Sequence, residues 1–277
     1  MEVDLNCDLG EGCPYDAELM PLITSANVAC GWHAGDAATA HAALQAASRQ
    51  GVQVGAHPGF LDRESFGRRE LQRNEGQIFE DCVYQIGALA GLARAVGLPL
   101  RYVKPHGALY NMACREEAYA RPVVAASALF GLAVMGLPGS RLEALCAGRC
   151  RFVAEGFADR KYRPDGSLVP RDQPDAFVAS PAEAVRQAEW LLRERGVRTL
   201  CVHGDNPEAV AFVQELREAL TRQGIVIRKF DWSGEGGQEL YLFTRGIIID
   251  KRHRIHPHKP SPAPRRALLD WPGQSNA

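Results

Sequence analysis

The sequence predicts an α/β chain built on a closed barrel of seven parallel strands, each followed by a helical segment. Two observations lead there. Short apolar runs recur near residues 2–7, 24–30, 52–57, 100–105, 131–136, 150–155 and 198–203, each ending in a charged residue, histidine or glycine. Helix-like segments separate them, and strands alternating with helices pack as a parallel sheet with the helices outside. At 277 residues, 46% hydrophobic and 23% charged, the composition is that of a globular protein and the length suits one barrel of about 250 residues. An open doubly wound sheet is the alternative, and seven repeated units suit closure better.

The clearest helices are expected at Ala37–Gln50, Asn74–Val96, Glu117–Ala128, Pro181–Arg195 and Pro207–Arg222. In the last, Ala209, Val213, Leu216 and Leu220 recur at helical spacing. Gly51, Gly97, Gly196 and Gly224 stand where glycine stops a helix. The long polar stretches Phe60–Arg73 and Gly156–Asp175 read as lid or binding loops. Beyond Gly224, Ile225–Phe230 and Glu239–Asp250 read as strands of a hairpin-like extension. The domain is then 1–250, followed by a Pro-rich basic tail over 251–277.

A net charge of -1 argues against a nucleic-acid binder, and no apolar run is long enough for a membrane. The first residues, Glu2-Val3-Asp4-Leu5, do not form a signal peptide. Eight cysteines without a CxxC pair read as buried thiols in a reducing compartment. A cytoplasmic protein is expected.

Strand alternation converts the runs into a site. Asp4, Asn6 and Asp8 share one side of the first strand. Ser25, Asn27, Ala29, Gly31 and His33 share a side if the second stays extended. Gly55 and His57, then Lys104 and His106, then Glu155, then Cys201, His203 and Asp205 follow on later strands. Facing the barrel axis, these residues meet near the C-terminal strand ends, where barrel enzymes hold their active sites. Charged groups are rarely buried without partners, so a stability-only account fits the whole set poorly. Carboxylates with imidazoles suit acid–base catalysis or a divalent metal, and Lys104 suits a developing oxyanion or a phosphoryl group. No GxxxxGK[ST] or GxSxG occurs, and Gly10-Glu11-Gly12 lacks the third glycine of a dinucleotide fingerprint.

Several segments together resemble one family. They are Asp4-Leu5-Asn6-Cys7-Asp8-Leu9-Gly10-Glu11, Asn27 to Asp36, Gly55-Ala56-His57-Pro58-Gly59, Phe66-Gly67-Arg68-Arg69, Val103 to Asn111, Glu155 to Arg160 and Cys201-Val202-His203-Gly204-Asp205. In this order, over about 1–224, they resemble the LamB/YcsF family. The resemblance implies a distorted, deacetylase-like form of the seven-stranded barrel. It also implies the A component of an ATP-dependent 5-oxoprolinase, working with 5-oxoprolinase subunits B and C. The reaction would turn 5-oxo-L-proline into L-glutamate with cleavage of ATP. In that setting Asp8, His57, Lys104, His106, Glu155 and His203 are the expected catalytic residues. Asn6, Asn27, Arg68, Arg160 and Asp205 are the expected substrate contacts. The rival readings are a metal-dependent deacetylase or amidohydrolase, with Asp8, His33 and His57 as metal ligands, and a non-catalytic subunit that binds substrate.

Overall fold

The computed structural model describes residues 1–178, 180–204 and 207–231, and the backbone of Ile247–Ile249 and Ile255–Pro257. Seven parallel strands form the barrel. They are β1 (Glu2–Leu9), β2 (Ser25–Ala29), β3 (Gln53–His57), β4 (Leu100–Val103), β5 (Ala133–Gly136), β6 (Phe152–Phe157) and β7 (Thr199–Val202). Each pairs with the next, and β7 returns to β1 through Asp4↔Thr199 to Cys7↔Val202, which closes the ring. The expected closed barrel is the observed fold.

Between β1 and β2 lie α1 (Asp16–Leu19) and a short 3-10 turn, Met20–Leu22. Then follow α2 (Ala37–Gln50), α3 (Glu75–Ala95), α4 (Gly107–Arg115), α5 (Glu117–Leu129), α6 (Arg141–Cys146), α7 (Pro181–Glu194) and α8 (Ala209–Arg222). The longer helices carry their own start signals. Asp36 with Thr39, and Asn74 with Gln77, form reciprocal capping boxes at α2 and α3. Ser180 caps α7 ahead of Pro181 at its first turn. Gly51 closes α2 at φ 66°, accepting the left-handed geometry at little cost.

Three helices went unread in the sequence: α1, α4 and α6. In α4 the buried set Ala108, Leu109, Tyr110, Met112 and Ala113 takes up over half the circumference, and in a helix of 9 residues only Asn111 and Arg115 mark the exposed face. The other two are only 4 and 6 residues long.

Alternation in β1 sets the layers. Val3, Leu5, Cys7 and Leu9 enter the apolar shell between sheet and helices. Asp4, Asn6 and Asp8 are buried on the opposite side of the strand, within the barrel. Part of the interior is apolar: Tyr102, Ala133, Met135 and Val153 pack together with Phe230 against them. Gly55 makes room for this plug, because a Cβ there would lie 2.1 Å from the Tyr102 ring.

The second strand corrects one expectation. It ends at Ala29, and Gly31 turns the chain at φ 87°, so Gly31 and His33 do not continue the strand. The stretch expected as a loop from Gly156 likewise begins inside β6.

β8 (Val226–Ile227) lies parallel to Glu2-Val3 of β1. The chain divides into compact units Met1–Gly237 and Gln238–Ala277. Within the second, β9 (Ile247–Ile249) pairs antiparallel with β10 (Ile255–Pro257), a stretch the sequence offered as tail. The rest of the expected Glu239–Asp250 strand lies outside the described residues. Among the described residues, no helix is long and apolar enough to cross a membrane.

Candidate active site

Polar side chains climb the inside of the barrel in steps. Asp4 is the lowest. It accepts hydrogen bonds from the Thr24, Ser25 and Thr199 hydroxyls, and burial drives its carboxyl above the ordinary value. One step up, the Asn6 amide donates to Thr199 Oγ1 at 2.7 Å. Asn27 Nδ2 donates to Asn6 Oδ1 at 2.7 Å and to Asp8 Oδ1 at 2.8 Å. The two asparagines are thereby engaged inside the site, steadying Asp8.

β4 ends at Val103, yet the chain stays extended. Lys104 N donates to Ala56 O and His106 N to Pro58 O, so Lys104 and His106 hold the inward phase. Lys104 Nζ, 2% exposed, meets Asp8 Oδ1 at 2.9 Å, Glu155 Oε1 at 3.0 Å and Cys201 Sγ at 3.0 Å. Burial alone would lower the ammonium pKa, but Asp8, followed by Cys201 and Glu155, holds it well above the usual lysine value. Burial would likewise raise Asp8. The charges of His57 and Lys104 outweigh that and keep it well below the usual carboxylate range. The Tyr110 hydroxyl lies against Glu155.

Three histidines sit above the lysine. His57 Nδ1 is 2.7 Å from Lys104 O, and His57 Nε2 is 3.4 Å from Asp8 Oδ2. His106 Nδ1 is 2.9 Å from His57 Nε2, and its Nε2 is 2.8 Å from Phe66 O. His33 stacks on His106 with ring centres 3.8 Å apart, and its Nε2 is 3.1 Å from Glu11 Oε1. Glycines make this approach possible. A Cβ at Gly35 would fall 2.0 Å from Gly10 O, so these two loops pack backbone to backbone and carry His33 to Glu11. Gly67, at φ 64°, lies under His33 and His106 in the same way. Phe66 beside it holds φ 54°, a strained value for a bulky residue, while its carbonyl meets His106.

On the opposite wall His203 Nδ1 is 2.8 Å from Asp159 Oδ2, and its ring stacks on Phe157. Arg160 is buried, and its guanidinium donates to the Ala176 and Val169 carbonyls, tying down its own loop. Burial, with the neighbouring Arg171 charge, pushes it down to about 10. Arg68 is exposed, with its guanidinium 4.8 Å from the centre of the Phe66 ring. Asp205 lies outside the described residues.

Asp8, His57, Lys104, His106 and Glu155 thus join one chain of contacts, which His33 meets through Glu11 and the His106 ring. The expected metal set divides. His33 and His57 converge with Glu11 and His106, whereas Asp8 converges with Cys201 and His203. Sequence reasoning placed Cys201 on the inward side of the seventh strand but passed over Glu11, Tyr110 and Asp159 as site residues. Glu11 carried a signal: a carboxylate between glycines at φ 73° and 85°, a turn that bends the chain back over the strand end.

The profile of the LamB/YcsF family matches residues 3–233. The A subunits of 5-oxoprolinase from Neisseria meningitidis strains of serogroups A, B and C are 46% identical over 241 residues, covering 82% of this chain and 98% of theirs. A crystal structure of a lactam utilization protein from Thermus thermophilus superposes with a TM-score of 0.76 at 40% identity, covering 83% of this chain and all of that one. An Enterococcus faecalis V583 protein proposed to cleave cellobiose-phosphate shares the fold alone, at TM-score 0.56 and 12% identity over 82% of this chain and 97% of its own.

Proposed function

The chain belongs to the LamB/YcsF family, and we propose that it is the catalytic component of an ATP-dependent 5-oxoprolinase, opening the ring of 5-oxo-L-proline to give L-glutamate. The relatives named as A subunits of 5-oxoprolinase support the substrate. The observation that carries the chemistry is the buried lysine between two carboxylates, Lys104 between Asp8 and Glu155.

A five-membered lactam resists water, so ATP is the cosubstrate that activates it. In the proposed route the amide oxygen takes the γ-phosphoryl group and ADP leaves. Water then adds to the activated carbon, and the C–N bond breaks to an acyl phosphate. A second water releases phosphate and glutamate. Lys104 faces the amide oxygen or the phosphoryl group, where its fixed charge opposes the developing negative charge. Asp8 or Glu155 takes the proton of the attacking water, and His106 or His203 returns one to the ring nitrogen. Arg68 and Arg160 stand on the loops expected to meet the substrate carboxylate. A divalent metal, the second cofactor of this reading, would be held by Glu11 and the histidines and would supply Lewis acidity.

The relatives are named as one lettered component among several, which supports work in a multi-subunit assembly, here with subunits B and C in the cytoplasm. The test is 5-oxoproline-dependent release of ADP and glutamate by the purified chain, with and without those subunits. Turnover is expected only in the full mixture. Full turnover by this chain alone would remove the obligate partners, and none with the partners present would remove the reading. The histidine cluster favours a second reading, ATP-independent metal-dependent amide hydrolysis. Lactam opening in the absence of ATP would select it.

A further inference from the structure

We infer that Glu11, His57 and His106 form a binding site for a transition-metal dication of the zinc class, with His33 as a fourth ligand once its ring turns out of the flat stack on His106. The site deepens the metal component of the proposed function. Its catalytic use rests on that reading, while binding itself is tested apart from it.

The tautomers carry the argument. His57 Nδ1 faces Lys104 O at 2.7 Å, and His106 Nε2 faces Phe66 O at 2.8 Å. A carbonyl oxygen only accepts, so both of these nitrogens carry the hydrogen. A neutral imidazole has one N–H. With both rings neutral, His57 Nε2 and His106 Nδ1 turn lone pairs to each other, 2.9 Å apart. A cation must lie between them: in the metal-free chain it is a proton on His57 Nε2, within reach of Asp8 Oδ2 at 3.4 Å, and a metal ion takes that proton's place.

Glu11 completes the set. Its Oε1 is 3.1 Å from His33 Nε2, 3.4 Å from His106 Nδ1 and 3.9 Å from His57 Nε2. Tetrahedral zinc with nitrogen and oxygen ligands at about 2.0–2.1 Å places ligand atoms about 3.3 Å apart, in the middle of this spread. The carbonyl partners of His57 and His106 are the outer contacts that orient metal-binding histidines.

Charge balance points the same way. The Asp8, Glu11 and Glu155 side chains are 8%, 5% and 0% exposed, and Lys104 is the one buried ammonium that faces them among the described residues. With the imidazoles neutral, three carboxylates against one ammonium leave one net negative charge, which favours a cation at this end of the site. The second convergent group, Asp8 with Cys201 and His203, is taken by Lys104 Nζ, which is 2.9 Å from Asp8 and 3.0 Å from Cys201. Three imidazoles select zinc, cobalt or nickel over magnesium or calcium.

The test uses the full chain, stripped with a chelator and titrated with Co2+ and Zn2+ in the absence of lactam and ATP. One equivalent of Co2+ should bind with the visible absorption of four-coordinate cobalt, be displaced by Zn2+, and resist excess Mg2+. Glu11→Gln and His106→Gln should each weaken Zn2+ binding about a hundredfold, whereas Asp8→Asn should stay within about tenfold. Circular dichroism of the stripped variants separates lost ligation from lost folding, and His33→Gln replaces any variant that fails to fold. No stoichiometric binding, or full affinity in the Glu11 and His106 variants, would overturn the site, as would an Asp8→Asn loss matching Glu11→Gln. Zn2+ binding without lactam turnover in the complete mixture would sink the proposed activity and leave the metal site standing.

Discussion

Lys104 Nζ and Glu155 Oε1 meet 3.0 Å apart inside the barrel, with the lysine 2% and the glutamate 0% exposed. The partners come from different strands, so the ion pair is made by barrel closure and not by local sequence. Lys104→Met should strand both Asp8 and Glu155, costing about 3–5 kcal/mol of stability. It should also lower turnover about a hundredfold or more. Adding Glu155→Gln should recover part of the stability and none of the turnover. Denaturant melts beside turnover assays check both, and full recovery of turnover in the double variant would remove Lys104 from the chemistry.

Gly35 and Gly12 make a matched pair. Both have positive φ, 67° and 85°, but a Cβ at Gly35 would strike Gly10 O while one at Gly12 meets nothing within 4 Å. Gly12→Ala should cost only backbone strain, about 1–3 kcal/mol. Gly35→Ala should cost more and part His33 from Glu11. Equal urea midpoints for the two would show that the loop contact is unimportant.

The two loop arginines should separate in their effects. Arg160→Ala removes donors to two buried carbonyls and should destabilise by about 2–3 kcal/mol. Arg68→Ala should leave the melting temperature unchanged and raise KM for the lactam roughly tenfold, the value of one charge-assisted hydrogen bond. Should Arg160→Ala raise KM at unchanged stability, the assignment of the two residues reverses.

Asp159 gives a pH test. Burial alone would raise its carboxyl, but the His203 charge and hydrogen bonds hold it below the ordinary 3.8. A depressed carboxyl stabilises above its unfolded value and loses that contribution as pH falls through its folded value. Asp159→Asn should therefore be less stable than the parent at about pH 7, and the gap should narrow below about pH 4. Urea midpoints across that range decide it, and a constant gap would mean that the carboxylate charge is not what holds His203.

Most of the barrel was legible because period-two alternation on seven runs repeats one physical rule. Asp8, His57 and Glu155 followed from it directly, as did Lys104 and His106 beyond the last ladder residue of β4. His33 reached the site by another route, since Gly31 breaks the strand and a glycine contact steers the loop. Glu11 was passed over because alternation speaks only of strands, and its position depends on two turns at positive φ. The engagement of Asn6, Asn27 and Arg160 with neighbouring groups was also invisible, because hydrogen-bond partners come from distant segments. Thr199, which ties down both Asp4 and Asn6, lies more than 190 positions away from them.

That last separation bears on how the chain is made. β1 pairs with β2, β7 and β8, so a strand near the start of the chain waits for partners near residue 226. A ribosome delivers Asp8 and Lys104 long before Thr199. Until β7 emerges, one edge of β1 is an unpaired parallel edge carrying three polar residues that need burial. Such an edge invites pairing with a neighbouring nascent chain, and barrel closure late in synthesis is the step at which crowding or a missing chaperone would divert this protein into aggregates.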